Sequence, residues 1–169
     1  MIGLKERNIP GLKGRKLEIK LIEDCGDKKK IARQILEALP DWFGIEEARE
    51  KYIKESADQI FFAAFDENQA TGFLCLKETS KDTLELSVMG VLKEYHRHGI
   101  GKDLFLNAKK IASENGYSFL QVKTVQMGHY EEYDNTNYFY RSLGFKEFEV
   151  FPTLWNERNP CQIYVISLR

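Results

Sequence analysis

Cysteine is scarce in this 169-residue sequence, and the three present, Cys25, Cys75 and Cys161, stand far apart. An odd count without a CxxC pair excludes a disulfide framework and a zinc ribbon, and it points to reduced, buried thiols. Long apolar runs are missing as well. No stretch approaches membrane-spanning length and the first residues lack a signal-peptide core, so a soluble, cytoplasmic protein with no membrane partner is expected. Net charge is nearly absent, at −1 from 25 basic and 26 acidic residues, which offers no footprint for nucleic acid. Histidine is rare too. His96, His98 and His129 have no carboxylate or thiolate at ligand spacing beside them, so no metal is expected.

What is present suits one packed domain. Apolar residues make up 43% and aromatics 12%, enough for a real core and too much for a disordered chain. Residues 1–14, with Gly3, Pro10, Gly11 and Gly14 among charges, read as an N-terminal arm ahead of a single domain over 15–169. Leu17, Ile19 and Leu21 alternate with charged residues as a half-exposed strand. Asp27 can cap a helix with Ile31, Ile35 and Leu39 on one face, and Pro40 ends it. Asp41 to Gly44 reads as a linker, and Ile45, Ala48 and Tyr52 mark one face of a second helix. Trp42 and Phe43 in that linker either close the corner between the helices or line a substrate entrance.

Ile60 to Phe65 is an apolar run suited to a strand buried on both faces. Thr71 to Leu76 follows after a turn at Asp66-Glu67-Asn68, with Gly72 marking a bulge or a close approach. A turn at Ser80-Lys81-Asp82 leads into the alternating Leu84, Leu86 and Val88, completing an antiparallel meander. A basic, glycine-containing turn, Tyr95-His96-Arg97-His98-Gly99-Ile100-Gly101, then opens a helix with Leu104, Ala108 and Ile111 on one face. Asn115-Gly116 stops it, and Phe119 to Val125 forms a strand parallel to the one before the helix. Beyond a polar segment, Gln126 to Asn137, a helix over Tyr133 to Leu143 ends at Gly144. Phe145 to Phe151 and Ile163 to Leu168 make a last pair joined through Pro152 to Pro160. The fold class is α+β, a single mixed, mostly antiparallel sheet with helices on both faces.

A strand feeding a glycine turn and a helix start can hold phosphate, because first-turn N–H groups lack intrahelical partners and the dipole is positive there. Gly99 to Asp103 lacks the spacing and hydroxyl of a nucleotide-triphosphate loop. Leu104 stands where a dinucleotide fingerprint needs its third glycine.

Val91 to Lys102 instead resembles the acyl-CoA pyrophosphate motif of the GNAT superfamily of N-acyltransferases, Q/R-x-x-G-x-G/A. Phe139-Tyr140-Arg141-Ser142-Leu143-Gly144-Phe145 resembles the superfamily's second signature, F-Y-x-x-x-G-F. The two stand at the expected separation, and the element order is similar over Lys16 to Leu168. His96 occupies a position usually held by Gln or Arg, while Tyr133 and Thr136 replace a common Asn and Ala.

The resemblance implies an acetyl-CoA-dependent N-acetyltransferase acting on a small-molecule or peptide amine, with no covalent enzyme intermediate. A non-catalytic acyl-CoA-binding regulatory module is the alternative. The implied cofactor-binding residues are Met89, Gly90, Val91, His96, Arg97, His98, Gly99, Ile100, Gly101 and Lys102. Glu85 is the implied base, against a reading as an exposed strand glutamate. Glu131, Glu132, Asp134 and His129 are alternatives to it in the polar segment. Tyr140 is the implied proton donor, against a packing tyrosine. Trp42, Phe43, Tyr133 and Glu131 are candidates for holding a cationic acceptor with some apolar body. A homodimer is compatible with the sequence.

Overall fold

The computed structural model describes residues 17–169, so the arm expected over 1–14 lies outside the described residues. In order, the elements are β1 (Leu17–Ile22), α1 (Cys25–Glu37), α2 (Pro40–Phe43), α3 (Glu46–Ser56), β2 (Ile60–Asp66), β3 (Gln69–Ser80) and β4 (Thr83–Val91). A 3₁₀ turn (Lys93–Tyr95) precedes α4 (Ile100–Glu114), β5 (Phe119–Val125), α5 (Glu131–Ser142), β6 (Lys146–Asn156) and β7 (Asn159–Ser167). The strands hydrogen-bond in one open sheet, β1-β2-β3-β4-β5-β7-β6. β4 and β5 are parallel, whereas β1–β2, β2–β3, β5–β7 and β6–β7 are antiparallel. The mixed α+β sheet read from the sequence is the sheet found. Contacts divide the chain into two compact units, one of residues up to Leu76 with Val88–Ala108, the other of Lys77–Ser87 with Lys109–Arg169.

In the first unit, α1 is capped by Asp24 rather than Asp27. The Asp24 carboxylate accepts the Asp27 N–H at 2.8 Å, which moves Asp27 into the first turn, where its charge suits the dipole. Ile31, Ala32, Ile35 and Leu36 form the buried stripe. The helix stops at Glu37, and Pro40 begins α2 instead of ending α1, because the first helical position needs no N–H. The expected linker at Asp41 is therefore a helical turn.

The α3 face is also corrected. Ile45 and Ala48 are exposed, and Ile53 and Ser56 are buried. Charges occur all round this helix, so its sequence leaves the phase open, and packing against α1 sets it. Across that contact Arg33 meets Glu50 at 2.6 Å.

β2 is buried from Phe61 to Ala64, as its apolar run requires, and the Phe61 and Phe73 rings stack at 5.1 Å. Gly72 shows both expected features. The β2–β3 register shifts between Ala64 and Phe65 beside it, and a Cβ there would lie 3.0 Å from the Gly90 carbonyl oxygen.

The second unit is built on the parallel ladder from Thr83↔Phe119 to Leu86↔Val122, with β7 on the other side of β5. β6 and β7 run further than expected, to Asn156↔Asn159, so the Pro152 to Pro160 segment is mostly strand. Pro152 is tolerated because β6 is the sheet edge and its register shifts between Phe151 and Asn156. The expected strand over Phe119 to Val125 is β5, and Phe119 at its start is exposed. α5 begins at Glu131, so Glu131, Glu132 and Asp134 occupy its electropositive first turn rather than a loop. Beneath it, buried Asn137 donates to the Val125 carbonyl at 2.9 Å and accepts from the Tyr164 hydroxyl at 2.7 Å, tying α5 to β5 and β7.

Candidate active site

The glycine turn lies wholly in the first unit. As β4 ends, the Leu92 N–H bonds the Thr71 carbonyl at 2.9 Å, which fixes where the chain leaves the sheet. Tyr95 then turns inward and donates its hydroxyl proton to the Asp66 carboxylate at 2.8 Å. Two residues on, the backbone is left-handed at Arg97 (φ 63°) and again at Gly99 (φ 80°). Glycine adopts that region freely, but at Arg97 it costs about 1–2 kcal/mol, a strain characteristic of ligand-holding turns. The Gly99 carbonyl accepts the Asp103 N–H at 3.0 Å, so the N–H groups of Ile100, Gly101 and Lys102 fall in the first turn, ahead of the helical ladder. Ile100 is buried and anchors that turn, while Arg97 and Lys102 are exposed. First-turn N–H groups beside two exposed cations are a chemistry suited to an anion.

His96 is tied back to β4. Its Nε2 lies 2.7 Å from the Val91 carbonyl oxygen, and because a carbonyl only accepts, Nε2 carries the proton. Its N–H already bonds the Lys93 carbonyl at 3.1 Å, which leaves Nδ1 as the group it can offer a ligand. The ring meets Trp42 edge-on, with centroids 5.8 Å apart. Lys93 lies over the Trp42 ring and pairs with Asp41. Trp42 thus joins the turn, whereas Phe43 packs edge-on against Tyr52 at 6.0 Å. Gly90 is closely surrounded, since a Cβ there would lie 2.9 Å from Ile35 Cγ2. A cleft of about 810 Å³ in this unit is lined by Gln34, Asp66, Asn68 and neighbours, and by none of the candidate catalytic, cofactor-binding or acceptor residues.

The second unit holds Glu85, Tyr140, Tyr133 and Glu131. Glu85 is only 6% exposed, which overturns its reading as an exposed strand glutamate. Its carboxylate lies 3.4 Å from Lys123 and 3.9 Å from Lys77. Neither lysine was singled out from the sequence. The signal for Lys123 lies in the register: Glu85 stands opposite Gln121, and Lys123, two residues on, shares that face. Cys161 belongs to the same neighbourhood. Burial pushes its thiol up to about 11, with Glu85 adding in the same direction and Lys123 opposing.

Tyr140 stands in a different cluster, 7% exposed, with Phe139, Phe145 and Tyr164 around its ring at 5.6, 5.8 and 6.4 Å. Tyr133 lies 6.1 Å from Tyr130, and Glu131 is exposed at the start of α5. Among the described residues, no three of His, Cys, Asp and Glu cluster to hold a metal, and no helix is long and apolar enough to cross a membrane.

The family model of the acetyltransferase (GNAT) domain matches residues 56–147, more than half of the chain. An uncharacterized N-acetyltransferase of Chlorobaculum tepidum is 28% identical over 118 residues, which cover 64% of this chain and 70% of that protein. Among solved structures, an acetyltransferase of the GNAT family from Desulfovibrio desulfuricans is similar with a TM-score of 0.77, at 16% identity over 90% of this chain and 99% of that one. An aminoglycoside 6'-N-acetyltransferase complexed with coenzyme A gives a TM-score of 0.70, at 16% identity over 90% of this chain and 97% of that one. The ribosomal-protein-S18-alanine N-acetyltransferase of Escherichia coli gives 0.69, at 18% identity over 90% and 94%. At these identities the structural likeness is one of fold.

Proposed function

Since the chain belongs to the GNAT acetyltransferase family, and is therefore an acetyl-CoA-dependent acyltransferase, we propose that its acceptor is a primary amine of a small molecule or peptide, attacking directly while both substrates are bound. The observation that supports the donor half of this reading is the strained turn from Arg97 to Gly99 at the head of α4. Its N–H groups and cations suit a diphosphate, which the donor's CoA portion contains.

Acetyl-CoA supplies the thioester that the amine attacks. The chain's own groups do the rest. N–H groups from His98 to Lys102, with Arg97 and Lys102, hold the pyrophosphate. Main-chain groups of Met89 to Val91 hold the pantetheine arm, and an N–H among them polarises the thioester carbonyl. An alkylamine, with a pKa of about 10.4, arrives protonated, so a base is needed. Glu85 takes that proton, directly or through water, and Tyr140 gives one to the departing thiolate. Burial pushes the Cys75 and Cys161 thiols up and leaves little thiolate at neutral pH, which argues against either as an acyl-cysteine intermediate.

Glu131 and Tyr133, together in the acidic first turn of α5, favour as acceptor a cationic amine with an apolar body. Two of the structural neighbours are named for an aminoglycoside and for a protein alanine, and both acceptors fall within this amine class. The reduced thiols fit a cytoplasmic location.

The test is thiol release from acetyl-CoA against a panel of polyamines, aminoglycosides, amino acids and peptides. Amine-dependent release is the expected result. CoA binding without release on any of them would favour the regulatory-module alternative.

A further inference from the structure

We propose that the buried hydrogen bond from Tyr95 to Asp66 sets the shape of the phosphate turn, making both positioning residues for the pyrophosphate half of acetyl-CoA. This rests on the acetyltransferase reading above. Tyr95 is 6% exposed and Asp66 5%, and the 2.8 Å bond between them joins the last residue of β2 to the last residue of the 3₁₀ turn. A tyrosine hydroxyl donating to a carboxylate is a charge-assisted bond, and the carboxylate is costly to bury without such a partner. Phenylalanine would fill the same space, so packing alone does not call for the hydroxyl.

The reason lies in the next residues. Arg97 holds a backbone conformation that its side chain disfavours, and such strain persists only where the surroundings fix the chain on both sides. After the turn, the anchors are buried Ile100 and the Asp103 N–H on the Gly99 carbonyl. Before it, the 3₁₀ turn is held by its own short bonds, Tyr95 N–H to Leu92 and His96 N–H to Lys93, with the Leu92 N–H on Thr71 at one end and His96 Nε2 on Val91 at the other. The Tyr95 hydroxyl on Asp66 adds a buried tie from this turn to the end of β2. Asp66 is itself placed by its pairing with Gln69 across the tight β2–β3 turn. Removing the hydroxyl leaves Tyr95's ring in place and loosens the turn from β2, so that the segment from Arg97 to Gly99 can relax away from the left-handed geometry.

The test compares two donors. With Tyr95→Phe, the Kd for CoA by calorimetry and the KM for acetyl-CoA should each rise about tenfold, the lower range for loss of a charge-assisted bond, while kcat at saturation holds. Acetyl-pantetheine lacks the pyrophosphate, so its kcat/KM should match the wild type's. Asp66→Asn keeps an acceptor oxygen and should retain most of the CoA affinity that Asp66→Ala loses. Tyr95→Phe binding CoA as tightly as wild type would overturn the proposal. So would an equal loss with both donors, which would mean general damage to the fold. A wild-type chain that binds no CoA would overturn this proposal together with the functional reading beneath it.

Discussion

Replacing Gly90 with alanine tests whether close packing under the end of β4 matters to both fold and donor binding. The new Cβ would lie 2.9 Å from Ile35 Cγ2, 3.1 Å from Leu39 Cδ1 and 3.6 Å from Phe73 Cε1. Ile35 and Phe73 are fully buried and Leu39 nearly so, so none of these side chains can swing into solvent. Overpacking of this kind costs about 1–3 kcal/mol. At roughly 2–4 °C per kcal/mol for a chain of this size, the melting temperature should fall by about 2–12 °C. Because Gly90 immediately precedes Val91, whose carbonyl holds His96, the affinity for CoA should weaken in the same variant. Thermal unfolding followed by circular dichroism, with calorimetric titration of CoA, reads both effects.

Gly116→Ala is the control. Nothing lies within 4 Å of its Cβ position and its φ is +84°, so it should cost about 1–2 kcal/mol through backbone strain alone and leave CoA binding unchanged. In a double-mutant cycle, Ile35→Ala removes the methyl that the new Cβ of Gly90→Ala strikes. The pair should therefore be more stable than the summed single effects by about 0.5 kcal/mol or more. A Gly90→Ala protein melting with the wild type, or strictly additive with Ile35→Ala, would refute the packing argument.

Other expectations follow from the second unit and the thiols. Tyr140→Phe keeps the ring contacts, so melting should shift by only a few degrees, while kcat for thiol release should fall by about 10²–10⁴-fold as for loss of a general acid; an unchanged kcat removes Tyr140 from that role. Lys123→Ala leaves the buried Glu85 carboxylate with Lys77 at 3.9 Å, and urea unfolding should show a loss of about 1–3 kcal/mol. Folding raises the Cys161 pKa to about 11 from about 9, so its contribution to stability is full below pH ~9 and is lost as pH rises towards 11. Cys161→Ala should flatten that slope in unfolding measurements between pH 8 and 11. Iodoacetamide should label exposed Cys25 first, and Cys75 and Cys161 only after unfolding, as intact mass would show.

Cys25 also illustrates where sequence reading stopped. The odd, unpaired cysteine count suggests burial, but Asp24 caps α1 ahead of Cys25, which is exposed, and only the folded helix decides that phase. The α3 face was misplaced for a similar reason, because a helix charged on every side carries no clear stripe. β6 was cut short because an edge strand with Phe148, Leu154 and Trp155 exposed does not show burial alternation. Of the lysines beside Glu85, Lys123 depends on a β4–β5 register that spans 38 residues, while Lys77 reaches it from β3.

What the amino-acid order determined by itself was local. The alternation of Leu84, Leu86 and Val88, the glycines at 99 and 101, the amphipathic run behind them and the Phe139 to Phe145 signature each need only neighbouring residues, since strand, turn and helix geometry repeat over a few positions. From these came the fold class and the family. Tertiary structure decided which side chains meet: Tyr95 with Asp66, His96 with Val91 and Trp42, Glu85 with its two lysines. Those partners lie up to 54 residues apart, counting from Trp42 to His96, and their meeting depends on strand register and helix phase, which a one-residue shift would reverse.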